Sequence, residues 1–457
     1  MAVTIMYKLL KVRKGNKNMS GIKEKTDPSM EQTPAGLSTI DGINTKLNFS
    51  DKEVSILQEL AKKVLELANR PEENVKAELW TAHNDLEETR PLIFADPENG
   101  WNEIITQEMI LCNDPLARVW EMQLRKEVFW GTEMGDDKVI EANFNVPFYY
   151  KDSKWGIHEE KIGGDDGGSY TWKTPITDYE RDFENLRFPE IKIDKEQSEK
   201  VFHYAEDLFG HILNVRKKGI WWWTLGMTWD YINLRGLENL MMDFYLNPDW
   251  VHRLMSFLRD GTLKKLDFLE QEGLLTLNTE GSYVGSGGFG WTKQLPSKGF
   301  NPMQVKTMDM WGFADSQETV GIDPAMFNEF ILPYQKPILD RFGLNCYGCC
   351  EPINKRWDYV KTIPRLRRVS ISPWADRAES HEMLGNDYIL SMKPSPTPLS
   401  QTTIDEDEIR RSIREELLAV KGGIVEVLMK DNHTLGKNPE HIKRWCRIVR
   451  EEINKIW

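Results

Sequence analysis

The sequence of 457 residues lacks a surplus of basic charge, a long apolar run and a dense set of cysteines. Its 72 Asp and Glu exceed its 59 Lys and Arg, giving a net charge of −13, which argues against nucleic-acid binding because such proteins present a basic face. No apolar run reaches the roughly 18 residues that cross a bilayer. Five cysteines in so long a chain do not indicate a disulfide framework. We therefore expect a cytoplasmic protein with no nucleic-acid or membrane partner.

The first 45 residues differ from the rest in charge. Seven Lys and Arg stand among the first 25 residues, against the single acid Glu24. The apolar stretch from Ile5 to Leu10 is too short and too interrupted for a secretory signal, and an alternative is an extension upstream of a start near Met19. We expect a mostly disordered basic arm over 1–45 and a single domain over 46–457.

From residue 200 onward, strand-like apolar runs alternate with helical patterns. Strands separated by helices of this length form right-handed βαβ units and a parallel sheet. We therefore expect an α/β protein, a (β/α)8 TIM barrel with an N-terminal helical extension at 51–69 and a β-hairpin-like insertion at about 138–173. An open doubly wound sheet is the alternative. The predicted strands cover 219–226, 274–278, 343–348, 367–372, 388–393 and 423–429.

Titratable and sulfur-bearing side chains follow most of these predicted strands. Parallel barrels place their chemistry at the carboxyl ends of the strands, so we expect an active site formed by these ends. Any one of them could be an ordinary polar loop residue, but the pattern as a whole indicates a site. In chain order the residues are Glu280, then Cys349, Cys350 and Glu351, then Trp374, then Lys393, and finally Asp431 and His433.

Three of the five cysteines lie between residues 346 and 350. In an extended strand Cys346 and Cys349 point to opposite faces, which does not favour a disulfide between them. A catalytic zinc site needs about three protein ligands and an open position. The alternative is that the cysteines are small core residues. The predicted metal ligands are Cys349, Cys350, Glu351, Asp431 and His433.

The chain is rich in tryptophan, with 17 in total and a run at Trp221-Trp222-Trp223. Core packing explains many of them, and the alternative is an aromatic pocket for a small apolar or aromatic substrate. The predicted substrate contacts are Trp222, Tyr347, Trp374 and Lys393.

The segment from Trp311 to Glu318 is a glycine- and acid-bearing loop before a predicted helix. Its acids, Asp315 and Glu318, could act in proton transfer or bind substrate, or they could cap the helix in a solvated loop. We predict catalytic roles for Asp315 and for Glu280.

The motif that follows this loop resembles the uroporphyrinogen decarboxylase superfamily. The resemblance covers roughly residues 200–457 and implies a (β/α)8 barrel. It is carried by Asp315-Ser316 and by Gly321-Ile-Asp-Pro324-Ala-Met-Phe327-Asn-Glu-Phe330-Ile-Leu-Pro333-Tyr334.

The superfamily contains two chemistries. The decarboxylases share an arginine-rich Met-Arg-Gln-Ala-Gly-Arg segment, whereas the nearest stretch here, Thr89-Arg90-Pro-Leu-Ile-Phe94, has one arginine. The corrinoid-dependent methyltransferases bind zinc through His-x-Cys and a late Cys. His-x-Cys falls on Tyr347-Gly348-Cys349, so the sulfur matches and the histidine does not. The late Cys falls near Asp431, with His433 two residues on.

The resemblance therefore implies methyl transfer from a small donor, such as an aryl methyl ether, to the cobalt of a corrinoid on a separate partner protein. Zinc, or a proton from Glu280 or Asp315, would stabilise the departing oxygen. A homo-oligomer is compatible with this role. The alternatives are a metal-independent decarboxylase or lyase acting on a small acid, and a non-catalytic corrinoid- or tetrapyrrole-binding accessory protein.

Overall fold

The computed structural model of the chain describes residues 47–163 and 170–457. Within these ranges the strands are β1 (Leu92–Ala95), β2 (Asn143–Val146), β3 (Tyr150–Asp152), β4 (Glu160–Gly163), β5 (Tyr170–Lys173), β6 (Ile191–Ile193), β7 (Asn214–Lys217), β8 (Trp311–Ala314), β9 (Leu344–Tyr347), β10 (Leu366–Ile371), β11 (Ile389–Met392) and β12 (Ile424–Met429).

Six of these strands form one sheet in the order β1-β12-β11-β10-β9-β8. All of its neighbouring strands run parallel, and the last strand of the chain lies beside the first, with Leu92 opposite Glu426. Helices connect most of the consecutive strands, as parallel pairing requires. The predicted α/β class with a parallel sheet is confirmed.

The helices lie before, between and after the strands of this sheet. They are α1 (Asp51–Ala68), α2 (Pro71–Asn84), α3 (Trp101–Ile104), α4 (Pro115–Phe129), α5 (Tyr179–Asp182), α6 (Lys195–Phe209), α7 (Thr228–Arg235), α8 (Leu237–Leu246), α9 (Pro248–Gln271), α10 (Pro324–Phe330), α11 (Leu332–Leu339), α12 (Trp357–Val360), α13 (Arg377–Leu384), α14 (Glu406–Ala419) and α15 (Glu440–Ile456).

The N-terminal extension is helical, as predicted. Helix α1 begins at a capping box in which the Ser50 hydroxyl accepts from Glu53 N and the Glu53 carboxylate accepts from Ser50 N at 2.9 Å; this arrangement satisfies two free amide groups of the first turn. Helices α1, α4 and α6 share a hydrophobic core of their own. No described helix is long and apolar enough to span a membrane.

The helical patterns at about 103–125 and at 323–342 predict two helices, and both have different bounds in the structure. The helix expected from about residue 103 begins at Pro115, where the Asp114 carboxylate accepts from Leu116 N and Ala117 N. The helix expected over 323–342 is divided into α10 and α11. Pro333 in the first turn of α11 explains the break, because proline has no amide hydrogen to continue the helix.

Two predicted strands, 219–226 and 274–278, are irregular segments instead. The first joins β8 through a backbone hydrogen bond from Leu225 N to Phe313 O at 2.9 Å. The second joins the same strand through a side chain, since the Asn278 amide donates to Trp311 O and accepts from Trp311 N, both at 2.9 Å. The Asn278 side chain thus takes the place of one pair of backbone hydrogen bonds between strands.

The other strands lie around this sheet. Strand β2 pairs with β7 in parallel, and Asp137 N donates to Ile93 O of β1 at 2.8 Å. Within the predicted insertion, β4 and β5 form an antiparallel pair. The predicted basic arm, and the glycines at 164, 167 and 168 in the insertion, lie outside the described residues.

A glycine-rich loop, residues 285–290, packs against one face of the six-stranded sheet. Its Gly-x-Gly-x-x-Gly spacing is that of a phosphate-binding turn, but no helix follows it directly, so it lacks the context of that motif. A Cβ at Gly287 would lie 1.7 Å from Leu428 Cδ1, and one at Gly288 would lie 2.6 Å from Glu426 Oε2. Glycine is therefore required here for close packing.

The loop rests on a buried ion pair between β10 and β12. Arg368 Nε lies 3.0 Å from Glu426 Oε1, and both side chains are at most 1% exposed. Arg368 also donates to Asn84 Oδ1 at 2.6 Å and to Phe289 O at 3.3 Å. Although burial opposes the charge of Glu426, Arg368 and His83 hold the pKa of this carboxyl below its ordinary value.

We predict that Glu426→Gln lowers the free energy of unfolding by about 3–5 kcal/mol, because it leaves the buried guanidinium of Arg368 without its counter-charge. Urea denaturation followed by circular dichroism measures the change. The matched control is Glu59→Gln, which breaks an exposed pair with Lys62 and should have no measurable effect. Equal stability of the Glu426 variant and the wild type would contradict this role.

Candidate active site

Three loops at the carboxyl ends of parallel strands bring a thiol, an ammonium group and several carboxyls together. Asp315 follows β8, Cys349 and Glu351 follow β9, and Lys393 follows β11. All four side chains are at most 3% exposed. Sequence reasoning predicted a site at these ends, and the structure places these four residues in one connected cluster.

Cys349 lies at the centre of this cluster. Its Sγ accepts a hydrogen bond from Ser286 Oγ at 3.1 Å and lies 3.6 Å from Lys393 Nζ and 3.7 Å from Cys350 Sγ. The contact with Cys350, and the positive charges of Lys393 and Lys430, lower the pKa of the Cys349 thiol well below its ordinary value despite burial. The arrangement favours a thiolate.

Lys393 holds this region together through its Nζ. The ammonium donates to Cys349 O at 3.2 Å and to Ser286 Oγ. Ser286 belongs to the glycine-rich loop, and sequence reasoning missed its role. The predicted part of Lys393 in substrate binding stays a prediction, because its contacts are with the protein.

Glu351 joins the loops after β8 and β9. Its Oε1 accepts from Ser316 N at 2.8 Å and from Ser316 Oγ at 3.3 Å, and its Oε2 accepts from Cys349 N at 3.0 Å. Burial, and then the charge of Cys349, raise the pKa of this carboxyl. Glu351 is thus held by hydrogen bonds that fix the loops.

One carboxyl oxygen of Asp315 accepts a hydrogen bond, and the other has no partner among the described residues. Its Oδ1 accepts from Thr224 Oγ1 at 2.7 Å, whereas Oδ2 is buried and has no hydrogen-bond partner among the described residues. Burial raises the pKa of Asp315 well above its ordinary value, and the nearby Glu351 and Glu318 raise it further. Burial also raises the pKa of Glu318 to about 7. Burial and the neighbouring carboxylates therefore favour the protonated form of Asp315.

Two predicted substrate contacts have contrasting positions. Tyr347 is fully buried, and its hydroxyl donates to Gln335 Oε1 at 2.8 Å and lies 3.2 Å from Ser316 Oγ. Trp374 is 75% exposed. Tyr347 thus supports the loop after β8 through Ser316, whereas Trp374 faces solvent.

Glu280 belongs to a second group of charges. Its Oε1 lies 2.5 Å from Arg216 Nη1 and 3.6 Å from Lys218 Nζ. These two cations precede the irregular segment 219–226, about 60 residues before Glu280. The predicted catalytic role of Glu280 stays a prediction, since its carboxylate is occupied by two cations.

The loop after β12 contains the remaining predicted ligands. Asp431 is half-buried with a left-handed φ of 62°. Burial opposes the charge of Lys430, but the charges of Tyr283, Glu98 and Asp431 raise its pKa. His433 is exposed, and its carbonyl accepts from Asn99 Nδ2 at 2.9 Å. Residues 431–436 also have the short Asp-x-His-x-x-Gly spacing of a cobalamin-binding motif. Such a short pattern is weak alone, so the assignment of the corrinoid to a partner stays a proposal.

The predicted zinc site has two of its donors in place. The sulfurs of Cys349 and Cys350, 3.7 Å apart, are spaced as two ligands of one tetrahedral zinc would be. The Glu351 carboxylate is occupied by protein donors, and no group of three His, Cys, Asp or Glu in the described ranges is arranged to hold a metal ion. The donor set therefore does not fit a three-ligand zinc centre, and zinc stays a prediction.

A cavity of about 210 Å³ lies beside the cluster. Tyr283, Val284 and Gly285 line it, and the next residue, Ser286, contacts Cys349. Trp222 lines it, and its predicted contact with substrate stays a prediction. Sequence reasoning missed its polar lining residues, for which the sequence shows no motif. The lining includes Phe94, Trp130, Trp221, Trp222, Trp223, Phe289, Trp311 and Phe313, and the polar Glu141, Lys218, Thr276 and Asn278.

We predict that Lys393→Met raises the pKa of the Cys349 thiol, because it removes the adjacent positive charge. The thiolate is measured as ultraviolet absorbance against pH, in difference from Cys349→Ala. Lys355→Met, which removes an exposed lysine of the same loop region, is the control and should leave the titration unchanged. An identical titration in the Lys393 variant would show that its ammonium does not stabilise the thiolate.

Comparison with known proteins gives little further information. No protein-family model matches the chain, and no curated protein matches it. Among solved structures, a methyltransferase from Methanosarcina mazei superposes with a TM-score of 0.48 at 10% sequence identity, over 83% of this chain and 98% of that chain. A similarity at this level assigns neither a fold nor an activity to the chain.

Proposed function

We propose that the chain transfers a methyl group from an aryl methyl ether to the cobalt of a corrinoid carried by a separate protein. The observation that carries the proposal is the buried carboxyl of Asp315, with its free Oδ2, two residues after Phe313, which lines a cavity with aromatic walls. Cleavage of a methyl ether leaves an oxygen anion, and a buried acid can supply the proton that this anion needs.

The architecture behind this proposal is a closed (β/α)8 barrel. Strand β2 pairs with β7, Asp137 N reaches β1, and Leu225 N reaches β8. These contacts support closure of the six-stranded sheet through segments 137–146 and 214–225, which would make a ring of eight. Chemistry at the carboxyl ends of the strands is the rule for such barrels.

The cavity and the carboxyl groups near it have separate roles in this reaction. The aromatic cavity holds the ring of the donor and excludes water. Asp315 Oδ2 donates a proton to the departing oxygen, while Thr224 orients the carboxyl through Oδ1. Burial, and then the charges of Glu351 and Glu318, favour the protonated form of Asp315. The corrinoid supplies the nucleophile. Stabilisation of a developing oxygen anion contributes about 3 kcal/mol per well-placed donor.

We predict that Asp315→Asn lowers kcat by a factor of about 10²–10⁴, the usual contribution of a general acid. The assay follows methylation of reduced cobalt(I) corrinoid protein by a panel of methoxyarenes. The control is Asp358→Asn, an exposed carboxylate paired with Lys361. A donor whose ring carries a nitro group should lose much less activity in the Asp315 variant, because its phenolate leaves without a proton.

The pH dependence should report the same group. An acid acts in its protonated form, and the pKa of Asp315 is raised by burial. The wild-type rate should therefore fall as the pH rises through this raised pKa, whereas Asp315→Asn should lack that fall. Full activity of the variant on unactivated donors, or no methyl transfer from ethers, amines and thiols in the wild type, would refute the proposed function.

A further inference from the structure

The cavity has the volume of one substituted aromatic ring. Its volume is about 210 Å³, whereas an apolar cavity of about 150 Å³ is enough to bind benzene. The additional space accommodates one or two small substituents. A tetrapyrrole is far too large for it.

Most of the indole N–H groups around the cavity already have partners in the protein. Trp130 Nε1 donates to Ala95 O at 3.0 Å, Trp221 Nε1 to Leu274 O at 3.1 Å and Trp311 Nε1 to Gly290 O at 3.0 Å. Trp223 differs, since its Nε1 is buried and has no partner among the described residues. An indole N–H is only a donor, so the group that satisfies Trp223 must be an acceptor.

A second residue that lines the cavity also has a buried polar atom without a hydrogen-bond partner. Thr276 lines the cavity with Trp223, and its Oγ1 is likewise buried without a partner in the described ranges. Buried donors are almost always paired in folded proteins, with protein, water or ligand. Because both residues line this cavity, an oxygen of a ligand held there is the partner that the cavity can supply to these two groups.

The charges around the cavity are paired with one another. Arg216 and Lys218 contact Glu280, and Lys138 contacts Glu127 at 2.5 Å. No excess positive charge is left to attract a ligand with several carboxylates. A neutral oxygen, in an ether or a phenol, fits this lining.

Trp223 also connects the cavity to the acid. Its ring lies 5.6 Å from that of Phe313, two residues before Asp315, and the next residue, Thr224, donates to Asp315 Oδ1. An oxygen bound to Trp223 is thus on the side of the cavity that faces the acidic cluster.

We propose that the cavity binds a single aromatic ring and that Trp223 Nε1, together with Thr276 Oγ1, hydrogen-bonds to a neutral oxygen substituent of that ring. This inference deepens the proposed function by naming the part of the methyl donor that the cavity recognises, a neutral oxygen on an aromatic ring. Only its relevance to turnover rests on that function, since binding requires neither corrinoid nor methyl transfer.

Calorimetric titration of the full chain with matched pairs of ligands tests the proposal. Anisole and ethylbenzene have the same shape but differ in one oxygen, and so do phenol and toluene. We expect the oxygen-bearing member of each pair to bind about tenfold more tightly, the range of one hydrogen bond. Trp223→Phe should reduce this preference to within about twofold while ethylbenzene binds as before.

Trp222→Phe is the matched control, since it alters another indole of the same cavity. Affinities for both members of a pair should fall together, with their ratio retained. Thr276→Val keeps the side-chain shape and should also weaken the preference, which covers the case in which Trp223→Phe fails to fold. Equal binding of anisole and ethylbenzene by the wild type would overturn the proposal, as would an unchanged preference in the folded Trp223 or Thr276 variant.

The results separate this inference from the proposed function. Selective binding without methyl transfer to cobalt(I) would retain the ligand class and reject the activity. Methyl transfer without oxygen-selective binding would retain the activity and reject the role of Trp223.

Discussion

The buried ion pair of Arg368 and Glu426 is the interaction on which the centre of this protein depends. It connects β10 and β12, which are not adjacent in the sheet, across the intervening strand β11. Two charges removed from water are tolerated only when their geometry and further hydrogen bonds compensate for desolvation. Asn84 and the carbonyl of Phe289 supply those bonds. Helix α2 and the glycine-rich loop are therefore fixed by one guanidinium group.

The glycine-rich loop transmits this constraint to the reactive groups. Its backbone lies so close to Glu426 and Leu428 that side chains at Gly287 and Gly288 would overlap with them. The same loop carries Ser286 to the sulfur of Cys349 and the ammonium of Lys393. The packing of this loop against the sheet thus determines the relative positions of the Cys349 thiol, the Lys393 ammonium group and the cavity wall.

Local patterns predicted much of this fold, and long-range contacts account for what they missed. Strands β9 to β12 appear where short apolar runs predicted them, because buried parallel strands are apolar throughout. The segment at 274–278 is apolar too, yet Asn278 uses its side chain to pair with Trp311, which no periodicity reveals. Similarly, strand ends indicated Cys349, Glu351 and Lys393, but their partners are up to 107 residues away in the chain.

The junction between segment 219–226 and β8 has a consequence for ligand entry. One backbone hydrogen bond, from Leu225 to Phe313, joins them there, whereas β8 and β9 pair at four positions. Regions with few cooperative hydrogen bonds open at low free-energy cost. This sparsely paired segment also carries Trp221, Trp222 and Trp223, so its separation from β8 would open the aromatic wall of the cavity to a small molecule at a lower free-energy cost than parting β8 from β9.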